Sequence, residues 1–365
     1  MFTTTIIIIL VVAGLVSWVT VLGVRLESAV TTIPIPDGVL AETPVEQKLP
    51  TNFLKALNVP TDGVPMNLLI LGSDTREGQG KGFGSADEIV GARSDTTLLV
   101  HLSGDRTWST VTSIPRDLTI PLPSCASNGQ EGAVDRFNVA FQGGGPTCAV
   151  RAVTSLTGIS VHHVVVVDFK GFEKIVDTLG GLPVCLRNSV DDVRAHLVLP
   201  RGKQTLSGSE ALGLMRARYA LGDGSDISRI GRQQRMLKQV ISLVQRENLL
   251  TDPKKLYDLL DNVTNNLSTD EGLAHLPAMA ALGWQVRNIG LENVEFATVP
   301  IRYNRDGATV SVRQGAAERL FTRILNDVPP KSLVDTVELV GKPSPKLLST
   351  PVVADKKNVC VNPID

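Results

Sequence analysis

Aromatic side chains are scarce in this chain, at 4% of its residues. This scarcity argues against a platform that stacks nucleic-acid bases and against an aromatic sugar-binding cleft. The formal net charge is only −1, so no global basic field attracts nucleic acid to the protein. The cysteines lack the CxxC spacing typical of metal and redox centres, and the sequence contains no internal repeat.

The N-terminal segment contains no charged side chain from Phe2 to Val24. A helix of that length crosses the ~30 Å hydrocarbon core of a membrane. The stretch is longer than the ~7–15-residue apolar region of a cleaved signal peptide, and it lacks a basic leader. We therefore expect residues 1–24 to form a transmembrane anchor, in preference to a cleaved signal or a buried core helix. Arg25 follows the segment, so the positive-inside rule does not support a catalytic domain outside the cell.

Four segments are expected along the chain. The anchor is followed by an extended stalk at residues 25–60, which carries the proline- and threonine-bearing stretch TTIPIPDGVLAETP and lacks helical periodicity. Residues 61–335 form one large domain, and residues 336–365 form a proline-bearing tail. The domain is long enough to bury a sizeable core.

Within the large domain, apolar runs of strand length alternate with helical patterns. Predicted strands are NLLILG, DTTLLVHLS, TWSTVTSIP, HHVVVVDF and VEFATVP. Predicted helices lie at 148–156, 172–179, 207–219 and 227–246, with capping boxes at Ser207/Glu210 and Ser268/Glu271. This alternation predicts an α/β fold, an α/β/α sandwich whose central mixed β-sheet is flanked by helices.

Four cysteines allow three pairings, and the sequence does not choose among them. A bridge between Cys125 and Cys148 would close one Gly/Ser/Asn-rich excursion, and Cys185 would then pair with Cys360 by elimination. Four free thiols are an equally good interpretation of the spacing alone. Disulfides persist on the oxidising side of a membrane, so the anchor favours bridges and an extracytoplasmic domain.

Carboxylates and arginines cluster where the predicted strands end. The clusters are Ser73-Asp74-Thr75-Arg76, Arg93-Ser94-Asp95 and the SIPRD motif at 113–117. Any one of them is commonly an ordinary solvated turn. Carboxylates suit Mg²⁺ bound together with substrate phosphates, and the planar fork of arginine suits phosphate oxygens. Three such clusters in one short region therefore indicate a metal–pyrophosphate site.

The predicted helix at 227–246 has an apolar face that becomes polar at its N-terminal end. Gln233 falls within that face and Arg229 lies at its edge, whereas Arg232 is expected at the side or outside. A polar end of this kind favours an anion site, because helix N-termini attract anions. An internal ion pair with Asp223 or Asp226 is the alternative. Arg216 and Arg218 precede the helix and can converge on the same anion.

These motifs together resemble the LytR–CpsA–Psr family. The resemblance covers about residues 66–245 and rests on motifs in the family's order: GSDTR at 72–76, RSDT at 93–96, SIPRD at 113–117, LPRG at 199–202, LSG at 206–208, and the stretches 216–218 and 226–234. It implies a cytoplasmic N-terminus, one anchor and an extracytoplasmic catalytic domain. A second arginine found in some members after SIPRD is replaced here by Leu118-Thr119-Ile120.

The resemblance also implies roles for individual residues. Asp74 and Asp95 would hold Mg²⁺, with Mn²⁺ as a substitute. The pyrophosphate of a polyprenyl-linked glycan would be bound by Arg93, Arg116, Arg216, Arg218, Arg229 and Gln233. The catalytic set would be Asp95, Arg93, Arg116 and Asp117, with Asp95 or Asp117 as the general base.

The implied activity is transfer of a glycopolymer from its polyprenyl-pyrophosphate carrier to peptidoglycan. The expected partners are the lipid-linked glycan, the peptidoglycan acceptor and the membrane, without nucleic acid, and the catalytic domain is expected to be monomeric. Two alternatives remain: a pyrophosphate hydrolase with the same site, and a non-catalytic envelope regulator. The sequence does not identify the glycopolymer.

Overall fold

Runs of β-branched residues and leucine form the strands of a central sheet, as in MNLLILGS at 66–73 and HVVVVD at 163–168. The structure is a computed structural model that describes residues 30–42, 63–73, 94–125, 132–195, 197–217, 226–246, 267–330 and 360. Its strands are β1 Thr31–Thr32, β2 Met66–Ser73, β3 Ser94–Leu102, β4 Ser109–Ile114, β5 Leu118–Pro121, β6 Val134–Arg136, β7 His163–Asp168, β8 Leu182–Leu186, β9 Val190–Asp192, β10 Leu197–Leu199, β11 Gly202–Leu206, β12 Leu267–Thr269, β13 Val294–Thr298, β14 Ile301–Tyr303 and β15 Val310–Val312. Its helices are α1 Asn138–Thr157, α2 Phe169–Thr178, α3 Gly208–Arg216, α4 Asp226–Arg246, α5 Leu276–Val286 and α6 Gln314–Leu325.

The central sheet has seven strands in the order β1-β12-β7-β2-β3-β4-β13. β2 is parallel to β7, and β4 is parallel to β13, while β3 is antiparallel to both of its neighbours. The carboxyl ends of β2, β4, β7 and β13 therefore meet the amino end of β3 at one edge of the sheet. We call this edge the C-terminal edge.

Helices cover both faces of this sheet. On one face, Leu69 and Leu99 lie in a buried cluster with Phe141 of α1 and Phe321 of α6. On the other face, Val111 and Phe296 pack with residues of α4 and α5. The predicted mixed α/β fold, with helices on a central mixed sheet, is confirmed.

Two smaller units join the sandwich. The hairpin-like pairs β8–β11 and β9–β10 form a third buried cluster with α2, α3 and one side of α4. A separate four-stranded sheet has the order β14-β15-β5-β6. This small sheet begins at Leu118, directly after the SIPRD motif, so it lies beside the C-terminal edge.

Several local expectations changed. Ser207 does begin α3 with a capping box, accepting from the Glu210 amide and held by the Glu210 carboxylate. The capping box at Ser268 was wrong, because Ser268 lies in β12 and pairs with Val166 of β7. Residues 30–42, which we expected in the stalk, pack against the domain: Ile33 is 2% exposed, and its amide donates to the Thr269 carbonyl at 2.7 Å.

Two disulfide bonds are present, and they settle the pairing that the sequence left open. Cys125 is bonded to Cys148, and Cys185 is bonded to Cys360. The first bridge closes the excursion before and within α1, and the second fastens the C-terminal region to β8. The anchor expected at residues 1–24 lies outside the described residues, and among the helices that the structure describes none has the length and apolarity needed to cross a membrane.

Candidate functional site

The described parts of the three Asp/Arg clusters lie at the C-terminal edge of the central sheet. β2 ends at Ser73, which is followed in sequence by Asp74, and Ser73 pairs with Ser94 at the start of β3. β4 ends beside β3 with Ile114 opposite Thr97, so the SIPRD motif leaves the sheet at the same edge. Sheet topology therefore places three segments that are distant in sequence within one region.

A β-bulge occurs where β2 meets β3. Gly72 pairs with Thr96 and Ser73 pairs with Ser94, so Asp95 is the extra residue without a partner across the ladder. Bulges next to functional sites commonly redirect a side chain. The backbone of this predicted metal ligand thus departs from regular pairing at the C-terminal edge.

The SIPRD motif ends in a turn held by a short chain of ion pairs. The Leu118 amide donates to the Pro115 carbonyl at 3.1 Å. Arg116 Nε donates to Asp117 Oδ2 at 3.3 Å, and Arg136 Nη1 lies 3.5 Å from Asp117 Oδ1. The Asp117 carboxylate therefore orients two guanidinium groups, one of which belongs to a predicted phosphate ligand.

Helix α4 runs antiparallel to β13, and its N-terminal turns project beyond the C-terminal edge. Gln234 Nε2 donates to Ser113 Oγ, the Ala297 carbonyl and Thr298 Oγ1, at 2.9–3.1 Å. Further along the helix, Lys238 Nζ lies 4.9 Å from the centre of the Phe296 ring. Arg229 precedes Gln234 by five residues, so it lies about 7.5 Å further along the helix axis, past the strand ends.

The polar end of α4 is buried. Arg229 is 3% exposed and Gln233 is 9% exposed. Arg232 is also buried, at 2% exposed, although it lies outside the predicted apolar face. The reason is that α4 packs on two sides, with Met236 facing the cluster of α2 and α3 and Leu237 facing the central sheet.

Arg232 fastens the end of α3. Its Nε donates to the Leu214 carbonyl at 2.9 Å, and its Nη2 donates to the Ala217 carbonyl. These are carbonyls that a helix leaves unpaired at its C-terminus. Burial lowers the pKa of Arg232 to about 10, with Arg235 and Arg229 acting in the same direction, so the side chain remains charged at neutral pH.

The fixed end of α3 carries Arg216, another predicted phosphate ligand. The Arg216 guanidinium lies 4.8 Å from the centre of the Phe169 ring. Phe169 directly follows Asp168, and Asp168 pairs with Ser73 at the C-terminal edge. Asp168 accepts a hydrogen bond from the Gly171 amide at 2.6 Å and caps α2, while burial raises the pKa of its carboxyl above the ordinary value.

The structure thus brings Arg116, Asp117, Arg216, Arg229 and Gln233 to one edge or to elements anchored there. Asp74, Arg93 and Arg218 lie outside the described residues, and the Asp95 side chain does as well. Among the described residues there is no group of three His, Cys, Asp or Glu side chains that could hold a metal ion. The predicted roles of the site residues therefore stay predictions.

Sequence reasoning missed two residues of this region. Gln234 was noted only as part of a motif, although its amide joins three groups at the strand ends. Arg136 carried no signal, because it is a single arginine on a three-residue strand that reaches Asp117 only through the pairing of β5 with β6.

Comparison with known proteins identifies the family to which this architecture belongs. The sequence profile of the LytR_cpsA_psr family matches residues 37–325. The chain belongs to the LytR_cpsA_psr family. The match covers the central sheet except β1, the α4 helix and the small sheet, so the site described above lies within the part that the family shares.

Named relatives of this LytR_cpsA_psr protein include two cell-wall proteins. "Cell wall biosynthesis protein LcpA" of Corynebacterium glutamicum is 32% identical over 299 residues, covering 72% of this chain and 56% of LcpA. TagT of Bacillus subtilis, a "polyisoprenyl-teichoic acid–peptidoglycan teichoic acid transferase", is 28% identical over 247 residues, covering 65% of this chain and 70% of TagT. The chain spans just over half the length of LcpA.

A solved structure in the family has the same fold. The "LytR-Csp2A-Psr enzyme from Actinomyces oris" matches with a TM-score of 0.57 and 28% identity, covering 73% of this chain and 90% of that one. The central mixed sheet and its flanking helices are therefore the family architecture.

Proposed function

We propose that this protein transfers a glycopolymer from a polyprenyl-pyrophosphate carrier to peptidoglycan, and that it forms a phosphodiester link. The observation that carries the proposal is that the end of β2, the start of β3 and the SIPRD turn lie at one sheet edge with the buried polar end of α4. Family membership supports it, and so does the name of the relative TagT, a teichoic acid transferase that acts on peptidoglycan.

The arginines bind the phosphate oxygens in this proposal. The ligands are Arg93, Arg116, Arg216, Arg218, Arg229 and Gln233. Burial of Arg229 and the packing of Arg216 on Phe169 support preorganised donors, which stabilise developing charge without reorganising during the reaction. Phosphoryl transfer depends mainly on positioning and electrostatic stabilisation, and both are features of a rigid sheet edge.

Asp74 and Asp95 hold Mg²⁺, with Mn²⁺ as a substitute, in the proposed site. Two carboxylates together with substrate phosphates match the preference of this cation. Ser73 lies beside the bulge at Asp95 and directly precedes Asp74 in sequence. This position supports a shared role for Asp74 and Asp95. When bound, the cation would neutralise charge on the pyrophosphate.

The reaction exchanges one phosphorus–oxygen bond for another. The C6 hydroxyl of a peptidoglycan sugar attacks the glycan-proximal phosphorus, and polyprenyl phosphate leaves with the electrons of the broken bond. A carboxylate, Asp95 or Asp117, accepts the hydroxyl proton. Because Asp117 already contacts Arg116 and Arg136, we favour Asp95 as the base and assign Asp117 to positioning Arg116.

We place the catalytic domain outside the cell, held by a single membrane-spanning anchor at residues 1–24. The uncharged run from Phe2 to Val24 supports the anchor. The two disulfides support an oxidising compartment, since such bridges are rare in the cytosol.

The test compares Arg116→Ala with Arg246→Ala in the purified full chain. Arg246 is an exposed arginine at the opposite end of α4 from Arg229, so it is a matched control. Transfer of labelled glycan from a polyprenyl-pyrophosphate donor to peptidoglycan is measured, with and without Mg²⁺. We expect Arg116→Ala to lower the rate by about 10²-fold or more, Arg246→Ala to leave it unchanged, and chelation to abolish it.

The same assay separates transfer from hydrolysis, and a DNA-binding assay tests for a regulator. Labelled glycan released into water at the rate at which donor is consumed would identify a hydrolase and refute transfer. An Arg116→Ala variant with full transfer activity would refute the site. Binding to DNA that weakens with salt would indicate a regulator.

A further inference from the structure

The small four-stranded sheet carries a straight row of polar side chains on its outer side. Arg302 of β14 pairs with Ser311 of β15, Ser311 pairs with Thr119 of β5, and Thr119 pairs with Arg136 of β6. Residues paired directly across strands project from the same face. Strands lie about 4.8 Å apart, so the row extends about 14 Å, with hydroxyls in the middle and a guanidinium at each end.

This row faces away from the core. The neighbouring positions Leu118, Ile120 and Val310 are buried in the cluster with α1 and α6. Because side chains alternate along a strand, Thr119 and Ser311 point to the other side. We call this side the outer face of the small sheet.

Two open cavities border the row of polar side chains. One has a volume of about 470 Å³ and is lined by Thr119, Arg302 and Arg313, and also by Ser155 and Leu156 of α1. The other has a volume of about 490 Å³ and is lined in part by Thr119, Arg136, Arg305 and Asp306. Both cavities include Thr119, and we call the two together the groove.

The groove has an excess of positive charge. Four exposed arginines line it (Arg136, Arg302, Arg305 and Arg313), against the carboxylates Asp135 and Asp306 and the Asp117 carboxylate that Arg136 contacts. The Asp306 carboxylate accepts from the amides of Ala308 and Thr309, at 3.0 Å each, and so is committed to its own turn. The groove therefore presents forked donors suited to carboxylates, beside hydroxyls suited to sugars.

The row is joined to the proposed site. Arg136 at its end lies 3.5 Å from Asp117, and the other oxygen of Asp117 accepts from Arg116 at 3.3 Å. A polymer lying along the row thus comes within one ion pair of the arginine proposed to hold the reacting phosphate.

We propose that the outer face binds the acceptor, a glycan strand whose attached peptides carry carboxylates. This inference rests on the proposed function, in which peptidoglycan supplies the attacking hydroxyl. Charge complementarity carries it: the arginines pair with the carboxylates, Thr119 and Ser311 face the sugar hydroxyls, and the chain of contacts through Asp117 leads to Arg116. The donor pyrophosphate occupies the arginines of the C-terminal edge, which leaves the outer face to the acceptor.

The experiment is co-sedimentation of the full chain, in detergent, with purified insoluble peptidoglycan and no donor. We compare Arg302→Glu, Arg302→Lys and the remote control Arg246→Glu, and we repeat the assay with peptidoglycan whose carboxylates have been amidated. We expect Arg302→Glu to lower the bound fraction at least fivefold, Arg302→Lys to keep at least half of it, and Arg246→Glu to match the unmodified protein. Amidation should lower binding of the unmodified protein to a similar extent.

Several results would overturn the inference. These are equal binding by Arg302→Glu, an equal loss in Arg246→Glu, or binding that is indifferent to amidation. The Arg302→Glu variant could keep its binding to peptidoglycan and lose its binding to a short-chain prenyl-pyrophosphate glycan. That result would assign the face to the donor instead. The sedimentation contains no donor, so it measures acceptor binding separately from transfer. If the unmodified protein binds peptidoglycan but transfers no glycan in the activity assay, the proposed function is refuted and the acceptor face is not.

Discussion

A buried guanidinium destabilises a fold unless its donors meet acceptors, and Arg232 meets this condition through backbone carbonyls. It bonds to Leu214 and Ala217 at the end of α3, which carries Arg216. Arg232 is thus a positioning residue that acts on a proposed phosphate ligand through the backbone. At the scale of single residues, the site depends on a side chain that we do not expect to touch substrate.

Replacement of Arg232 should therefore destabilise the protein. In Arg232→Met the carbonyls of Leu214 and Ala217 lose their donor, and each unsatisfied buried group costs about 1–3 kcal/mol. We expect the free energy of unfolding in urea to fall by about 2–5 kcal/mol. Arg246→Met, at an exposed position on the same helix, should change it by less than about 0.5 kcal/mol. Equal stability of the two variants would contradict the assignment.

A single sequence did not reveal this role, because a helical wheel assumes one buried face. Helix α4 has two, one towards α3 and one towards the central sheet. Gln233 and Arg229 were predicted at the polar end because they lie on or beside the apolar stripe. Arg232 lies outside that stripe, and only the packing of α3 shows why it is buried.

At the scale of elements, the central strands were predictable and the small sheet was not. β2, β4 and β7 are runs of apolar and β-branched residues, which favour strands before any packing is known. β6, β14 and β15 have three residues each, so their strand conformation depends on pairing, and the sheet forms only because β15 pairs with β5, far away in sequence. The outer face and its row of polar side chains depend on the register of that pairing.

The position of α4 on the sheet gives a prediction for two glutamines. Gln234 holds the helix to the ends of β4 and β13, whereas Gln245 donates to the Ile289 carbonyl at 2.7 Å near its other end. Each alanine variant should cost roughly 1–2 kcal/mol of unfolding free energy. Only Gln234→Ala should also lower the kcat of transfer, by about tenfold or more, with the KM for peptidoglycan unchanged. A parallel fall of kcat in Gln245→Ala would show that lost stability alone explains the effect.

At the scale of the whole molecule, two disulfides close loops of very different length. Cys125 and Cys148 are 23 residues apart, and Cys185 and Cys360 are 175 apart. The sequence allowed three pairings, because spacing does not report which cysteines approach each other in space. The fold decides the pairing by placing Cys185 on β8 and Cys148 within the buried part of α1.

The longer loop should contribute more stability. The loop-entropy relation gives about 3 kcal/mol for the shorter loop and about 5 kcal/mol for the longer one. We expect the double variant Cys185→Ala/Cys360→Ala to lose more unfolding free energy in urea than Cys125→Ala/Cys148→Ala. Adding a reductant should lower the Tm of the unmodified protein. It should leave the Tm of a variant that lacks all four cysteines unchanged. A larger loss from the shorter bridge would contradict the loop-length explanation.

The two-residue strand β1 has a consequence for the behaviour of the protein at high concentration. Thr31 and Thr32 cover β12, a three-residue strand whose outer backbone groups would otherwise be open. Open edges of a sheet recruit strands from other molecules and start aggregation, and very short edge strands suppress this. Ile33 then enters the core immediately after β1, which holds the cover in place. The segment from residue 30 to residue 42 therefore acts as a guard against edge-to-edge association between copies.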